Sequence, residues 1–459
     1  MADPDARIGP RAATALLLVE GYCSLAVEMI ALRVLVPVAG QSVGVTSIVV
    51  TAFLAALALG YRSGGRFPGE VREKLGWNLA AAAAWSGFWL SRFGVALAFE
   101  ATSGLPSLWQ VALYAAVGVG PPAYLLAETV VLLVGSGSRE TAPGKAGGAF
   151  SASTLGNVAG GLLTALVVMQ HLGVAAAVAL VSGLLLLAAP AAWGRLDWRL
   201  WPAGAAAALL CGANLAHERG GHVLVTAHAD YAVEDAGGGR ILRVNGQNAS
   251  REDGAGVGHP YIEWIEDRVY ERARRHGPLR VLVVGAGGFT FGRGRRADLA
   301  EIVYADVDGR LGEAAHAFLG APPRSGAYVA EDGRAYLLRR DAAFDAVVLD
   351  AYADRATIPA HLVTREFFAL ARSRLAEDGG TLYLNLIAPP EPERFATRVE
   401  RTLRSVFARC RTHAAGDPAR WHNLVFACAR SALDGDAMVY ADGGSRGETD
   451  RAATRGRPP

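Results

Sequence analysis

The residues of this 459-residue chain that could do chemistry gather around Val281-Leu-Val-Val-Gly-Ala-Gly-Gly-Phe-Thr290. Four apolar residues there predict a buried parallel strand. The glycines that follow suit a sharp turn that lets a ligand approach the backbone. About twenty residues past the first glycine, Ile302-Val-Tyr-Ala-Asp306 predicts a second strand ending in an acid. A glycine turn alone is as often an ordinary tight turn. Here two more short strands also end in acids: Tyr328-Val-Ala-Glu-Asp332 and Phe344-Asp-Ala-Val-Val-Leu-Asp350. Carboxylates at the carboxyl ends of successive parallel strands collect in one crevice of an open α/β sheet. A nucleotide-type ligand binds there, with an acid accepting from ribose hydroxyls.

The elements that must position these groups fall into two halves. Of the charged residues, 12 Arg and Lys and 10 Asp and Glu precede His217, and the other 66 follow it. The first half is therefore read as a membrane region, residues 1–216. Apolar stretches near 12–37, 43–62, 77–98, 107–134, 148–170, 172–192 and 200–216 give about seven spans of bilayer length. Gly120-Pro121-Pro122 should kink or split the fourth. The first stretch is too long and too poorly flanked for a cleaved signal peptide.

Arg62, Arg66, Arg72 and Lys74, then Arg139 and Lys145, then Arg195 and Arg199 mark alternate loops as cytoplasmic. With seven spans the polar half lies on the opposite side, whereas a nucleotide-derived ligand is met inside. The side of the polar half is therefore left open, and one span more or fewer reverses it. Glu20, Glu28, Arg33, Glu128 and Asn157 sit within spans and should face the bundle interior. Contacts between helices are the commoner role for such groups, and a cationic substrate at Glu28 and Glu128 is the rarer one. Glu28 and Arg33 are five apart and should not pair. Gly156, Gly160 and Thr164 form a small-residue stripe for close helix packing.

Residues 217–259 read as a small antiparallel sheet of three short strands, after a link at 217–221. Residues 260–435 read as the α/β domain, opening with an amphipathic helix at Pro260–Arg275. Further helices are predicted at 310–318, 333–340, 364–376 and 390–408, and strands at 380–386 and 423–429. Residues 436–459 are predicted to be a disordered tail. Cys23, Cys211, Cys410 and Cys428 are far apart and lack metal-ligand spacing, so we read them as free thiols, with no metal site. His259, His361 and His422 are isolated and are read as structural or surface residues. No basic tract argues for nucleic acid.

With these residues in view, the polar half resembles the spermidine synthase family of polyamine aminopropyltransferases. The stretches Gly21–Arg33, Leu59–Gly65 and Ser153–Gly160 resemble the span motifs of bacterial membrane-fused spermidine synthase-like proteins. The most specific stretch is Asp350-Ala-Tyr-Ala-Asp-Arg-Ala-Thr-Ile-Pro-Ala-His-Leu-Val-Thr-Arg-Glu-Phe-Phe368. The resemblance implies a multi-spanning helical bundle fused to a small antiparallel sheet and a methyltransferase-like Rossmann sheet. It implies polyamine biosynthesis with decarboxylated S-adenosylmethionine, or S-adenosylmethionine itself, as co-substrate, and no tightly bound cofactor. The implied partners are a small-molecule amine, the lipid bilayer and a second copy in a homodimer.

Carried over residue by residue, the resemblance assigns Gly285 and Gly287 to the nucleoside, Asp306 to the ribose, and Asp332 and Gly333 to the adenine. Asp350 becomes the acid that receives or orients the attacking amine. Tyr261, Tyr352 and Asp354 become acceptor-binding groups. The departures lie at the amine end. The family loop usually reads Gly-Gly-Gly-Asp-Gly, its aspartate helping to hold the aminopropyl donor, and here Phe289 replaces that acid. The paired acids Asp350 and Asp354 are four apart rather than three, and Arg355 stands where proline follows them. Ile262, not glutamine, follows Tyr261. Two alternatives stay open beside aminopropyl transfer: methyl transfer to another acceptor, and a transport or nucleoside-sensing protein that has lost catalysis.

Overall fold

The computed structural model describes residues 8–40, 42–67, 70–135, 143–194, 200–252, 258–293, 295, 297–319, 326–352, 358–390, 394–417 and 419–430. The expected tail at 436–459 lies outside them. The chain divides into two compact units. The first is Met1–Ala236 with Ile241–Ala249, and the second is Gly237–Arg240 with Ser250–Pro459.

The first unit is helical: α1 (Pro10–Ala39), α2 (Val43–Gly64), α3 (Val71–Trp89), α4 (Arg92–Ala101), α5 (Ser107–Tyr114), α6 (Gly120–Gly135), α7 (Pro143–Leu163), α8 (Met169–Leu172), α9 (Val174–Trp193) and α10 (Leu200–Gly221). Among the described residues five helical stretches are long and apolar enough to cross a bilayer: Pro10–Ala39, Val43–Gly64, Ser107–Gly135, Ala146–Leu172 and Val174–Trp193. The expectation from the sequence is about seven spans. The expected third span breaks at Leu90, where Ser91 caps α4 by accepting from the Gly94 amide at 3.2 Å. The expected seventh, α10, is helical but is not among the five. Pro121 and Pro122 neither split nor end their helix. A π-turn at Ala115–Val119 directly precedes them.

The small-residue stripe brings α1 and α7 together. A Cβ on Gly160 would lie 2.1 Å from the Tyr22 carbonyl, and one on Gly21 would lie 2.0 Å from that of Ser153. Three of the charged groups expected inside spans find partners, as burial favours. Glu20 accepts from Ser153 Oγ at 2.8 Å. Glu128 meets Lys74 at 3.1 Å and Asn78 at 3.0 Å. Arg33 does not pair with Glu28. It donates to Asp230 at 2.6 Å and to the Thr226 carbonyl at 3.0 Å.

The small sheet has four strands in the order β1 (Leu224–Val225), β2 (Asp230–Ala236), β3 (Gly239–Val244), β4 (Gln247–Glu252). The fourth, Gln-Asn-Ala-Ser-Arg-Glu, was not expected, because it has almost no apolar alternation to read. In the second unit, α11 (Pro260–His276) leads into β5 (Leu279–Val284). There follow β6 (Ala300–Asp306), α12 (Leu311–Leu319), β7 (Ala327–Ala330), α13 (Gly333–Arg339), β8 (Ala346–Leu349), α14 (Arg365–Ser373), β9 (Thr381–Ala388), α15 (Arg394–Arg404), β10 (Arg409–Ala415) and β11 (His422–Ala429). The sheet order is β10-β11-β9-β8-β5-β6-β7, and β9, β8, β5, β6 and β7 run parallel. The chain moves outward from β5 through β6 to β7, then returns to β8 on the other side of β5. That switch point places the carboxyl ends of β5 and β8 side by side.

Reading all four cysteines as free is also corrected. Cys410 and Cys428 face each other in the antiparallel β10–β11 ladder, their Cα atoms 4.1 Å apart, and form a disulfide. Cys23 and Cys211 are free and buried.

Candidate active site

The glycine turn after β5 is shaped first by the protein itself. Gly285 has φ 88°, and a Cβ there would lie 2.4 Å from the Asp350 carbonyl. Gly287 has φ 50° and lies against Ser250 Oγ, which accepts from the Gly288 amide at 2.8 Å. Gly333 must be small because β5 is close: a Cβ there would lie 2.3 Å from Val284 Cγ1. The glycines expected at the nucleoside thus have intramolecular reasons as well.

Asp306 turns toward this loop. Its carboxylate accepts from the Ala286 amide and from the Asp308 amide, each at 3.1 Å. Asp332 caps α13, with Oδ1 accepting from the Arg334 and Ala335 amides at 3.0 Å each. Its Oδ2 lies 2.8 Å from His361 Nε2. Burial alone would raise this carboxyl. The two amides and His361 outweigh it and hold Asp332 below the usual carboxylate range. His361 is therefore not the isolated residue that its sequence context suggested.

Asp350 follows β8 at the switch point. Tyr261, from the first turn of α11, donates to its Oδ2 at 2.7 Å. Asn385, from the middle of β9, donates to Oδ1 at 2.8 Å, and Asn423 in turn donates to Asn385 Oδ1 at 3.0 Å. Burial pushes the Asp350 carboxyl up to about 6, against the lowering effect of the Asn385 and Tyr261 hydrogen bonds. Burial beside this carboxylate also pushes the Tyr261 phenol well above its ordinary value. A carboxylate poised near neutrality and oriented by two donors is suited to accept a proton.

Tyr352 donates to the Asn385 carbonyl at 3.0 Å, so it joins the same cluster. Asp354 and Arg355 lie outside the described residues. Asn385 and Asn423 were missed in the sequence. The available signal was one amide in the otherwise apolar run Leu384-Asn-Leu386, buried to 1 % exposure. Phe289, at the position of the family's donor-binding acid, has φ 55° and is buried. Its ring packs 4.8 Å from Tyr304 and 5.4 Å from Tyr328.

A cavity of about 120 Å³ lies in the first unit, lined by Arg33, Arg92, Asn214, Glu218 and Asp230 with apolar walls, and includes none of these acids. Among the described residues no cluster of His, Cys, Asp or Glu could hold a metal ion.

The chain is 30% identical over 205 residues to polyamine aminopropyltransferase 2 of Pseudomonas aeruginosa. The match covers 42% of this chain and 57% of the relative's length. The chain therefore spans little more than half the length of this relative. Similar solved structures include a probable spermidine synthase from Corynebacterium glutamicum (20% identical, TM-score 0.39, 50% of this chain and 85% of that one). Another is spermidine synthase from Thermotoga maritima (18%, TM-score 0.38, 50% and 81%). Human methyltransferase-like protein 13 is 20% identical with a TM-score of 0.31, over 44% and 91%. No family model matches the chain. The similarity to this aminopropyltransferase agrees with the resemblance read from the sequence, and the five apolar helices are compatible with membrane spans.

Proposed function

We propose that this protein is a multi-pass membrane transferase that moves an aminopropyl group from decarboxylated S-adenosylmethionine to an amine. The observation that carries this is Asp350, a carboxylate raised toward neutrality and oriented by Tyr261 and Asn385 beside the glycine turn. In this reading a neutral amine attacks the carbon bonded to the sulfonium sulfur. The carbon–sulfur bond breaks, its electron pair stays on sulfur, and methylthioadenosine leaves. The proton lost by the new ammonium passes to Asp350. The donor is already activated, so alignment and proton removal are what the protein must supply. Asp306 is assigned to the ribose, Asp332 and Gly333 to the adenine, and Gly285 and Gly287 to the close backbone approach. Tyr261, Tyr352 and Asp354 are assigned to the acceptor side. The partners of this reading are the amine, the bilayer and a second copy.

Phe289 favours a second reading, methyl transfer from S-adenosylmethionine. A phenyl ring packed between two tyrosines offers no carboxylate to the ammonium of an aminopropyl donor. The test is a turnover assay on membranes with each donor and a panel of amines. Release of methylthioadenosine supports aminopropyl transfer, and S-adenosylhomocysteine supports methyl transfer. Release of neither, with the ligand still bound, supports a nucleoside sensor.

A further inference from the structure

One hydrogen bond at the edge of the sheet has no role in the reading above. His361 Nε2 lies 2.8 Å from Asp332 Oδ2. His361 belongs to the 3-10 turn Ala360–Leu362 ahead of α14. That turn is itself held in place: Arg334 Nη1, from the start of α13, donates to the His361 carbonyl at 3.1 Å. Thr364, three residues on, caps α14 by accepting from the Phe367 amide at 3.2 Å.

The two oxygens of Asp332 are therefore not equivalent. Oδ1 is committed to two backbone amides. Oδ2 meets His361 and keeps capacity for a second donor, since a carboxylate oxygen accepts two. A 6-amino group on a purine is a donor and fills that capacity. A 6-oxo group would place an oxygen against an ionised oxygen, with no proton between them.

We propose that His361 is a positioning residue for base recognition. Its Nε2–H fixes the rotation of the Asp332 carboxylate so that Oδ2 accepts from 6-aminopurine nucleosides and repels 6-oxopurine ones. The proposal rests on reading the crevice as an adenosyl site. It adds to that reading a residue which touches Asp332 rather than the base, and a selectivity at the purine 6-position.

The test uses the full chain in detergent and calorimetric titration with methylthioadenosine and its 6-oxo analogue, methylthioinosine. The wild type is expected to prefer the amino compound by at least about 100-fold, the scale on which a site built for a hydrogen bond rejects a mismatched group. His361→Ala is expected to shrink that ratio at least about tenfold with an unchanged melting temperature. His361→Gln, which returns an N–H donor on a planar amide, is expected to restore most of the ratio. A merely structural role would lower the melting temperature and weaken both ligands alike, leaving the ratio intact, and that result overturns the proposal. A wild type that binds neither nucleoside overturns the adenosyl reading itself. A wild type that binds methylthioadenosine with an unaltered ratio in His361→Ala overturns only the role of His361.

Discussion

Tyr261 and Asp350, 89 residues apart in sequence, meet in a 2.7 Å hydrogen bond from the phenol to the carboxylate. The bond favours the ionised acid and opposes the burial that raises it. Tyr261→Phe removes the donor and leaves the burial. We expect the Asp350 carboxyl to rise further, by about one pH unit for a hydrogen bond worth about 1–1.5 kcal/mol. The acid limb of the pH–rate profile should move to higher pH. A limb that stays in place would detach Tyr261 from the titration.

Asp350→Asn should lower turnover by about two to four orders of magnitude while leaving adenosyl-ligand affinity nearly intact. The amide keeps the shape, since its oxygen accepts from Asn385 and its NH2 group donates to Tyr261. The same substitution should change stability in the opposite sense. The folded carboxyl is raised above its unfolded value, so its contribution is fully present below about pH 4 and lost as pH rises through about 6. At pH 7 the wild type carries a cost of at most about 3 kcal/mol that the amide lacks. Melting curves between pH 4 and 7.5 should fall with pH more steeply in the wild type. Parallel curves would mean that Asp350 is not raised.

Asp306→Ala should weaken adenosyl-ligand binding by about 1–3 kcal/mol, the scale for a lost charge-assisted hydrogen bond. The carboxylate also holds the Ala286 and Asp308 amides, so the loop loses its brace at the same time. Asp306→Asn keeps one acceptor oxygen and should fall in between. Equal affinity in all three proteins would remove Asp306 from the site.

Asp230 accepts from Arg33 at 2.6 Å and from Arg92 at 2.8 Å, and it is 3 % exposed. Burial alone would raise its carboxyl, but the two guanidinium groups take it down to about 2. Its stabilising contribution is therefore present above the ordinary carboxylate range and is lost only as pH falls toward 2. Asp230→Ala leaves Arg33 without its anion and Arg92 with only Glu218, 3.7 Å away, a loss of about 3–5 kcal/mol for a buried pair. A large drop in melting temperature in detergent is the expected result, and an unchanged one would mean that the cluster is solvated.

Much of this was legible because the informative residues are local. Val281–Val284 followed by glycine, and acids after apolar runs, mark parallel strands and their ends without any distant information. What was missed depends on pairing across the chain. Asn385 reads as one stray amide until β9 is laid beside β8. His361 reads as isolated until α13 brings Asp332 to it. Strand β10, Arg-Cys-Arg-Thr-His-Ala-Ala, lies at the sheet edge with only Cys410 and Ala415 of its seven residues buried. It therefore lacks the apolar signal that would have revealed Cys410 opposite Cys428. The break at Leu90 was signalled by Ser91, but the apolar residues on both sides concealed it.

The Cys410–Cys428 bond carries the last prediction. Antiparallel register sets the two residues directly opposite each other, 18 positions apart in sequence. Protein purified without reductant, with thiols alkylated at lysis, should show this pair blocked to alkylation and Cys23 and Cys211 reactive only after unfolding. Closing a loop of that length stabilises the fold by about 3 kcal/mol, so the Cys410→Ser, Cys428→Ser double variant should melt earlier by that amount. The same measurement bears on membrane topology. Disulfides persist in oxidising compartments; with the positively charged loops in the cytoplasm, an even number of spans would put this half on the cytoplasmic side and an odd number on the opposite side. An oxidised pair, with activity from an alkaline phosphatase fused after residue 430, would require the adenosyl ligand to be supplied on that side. A reduced pair and a silent fusion would place the Asp350 crevice in the cytoplasm with the donor, and would count against five or seven spans in favour of an even number.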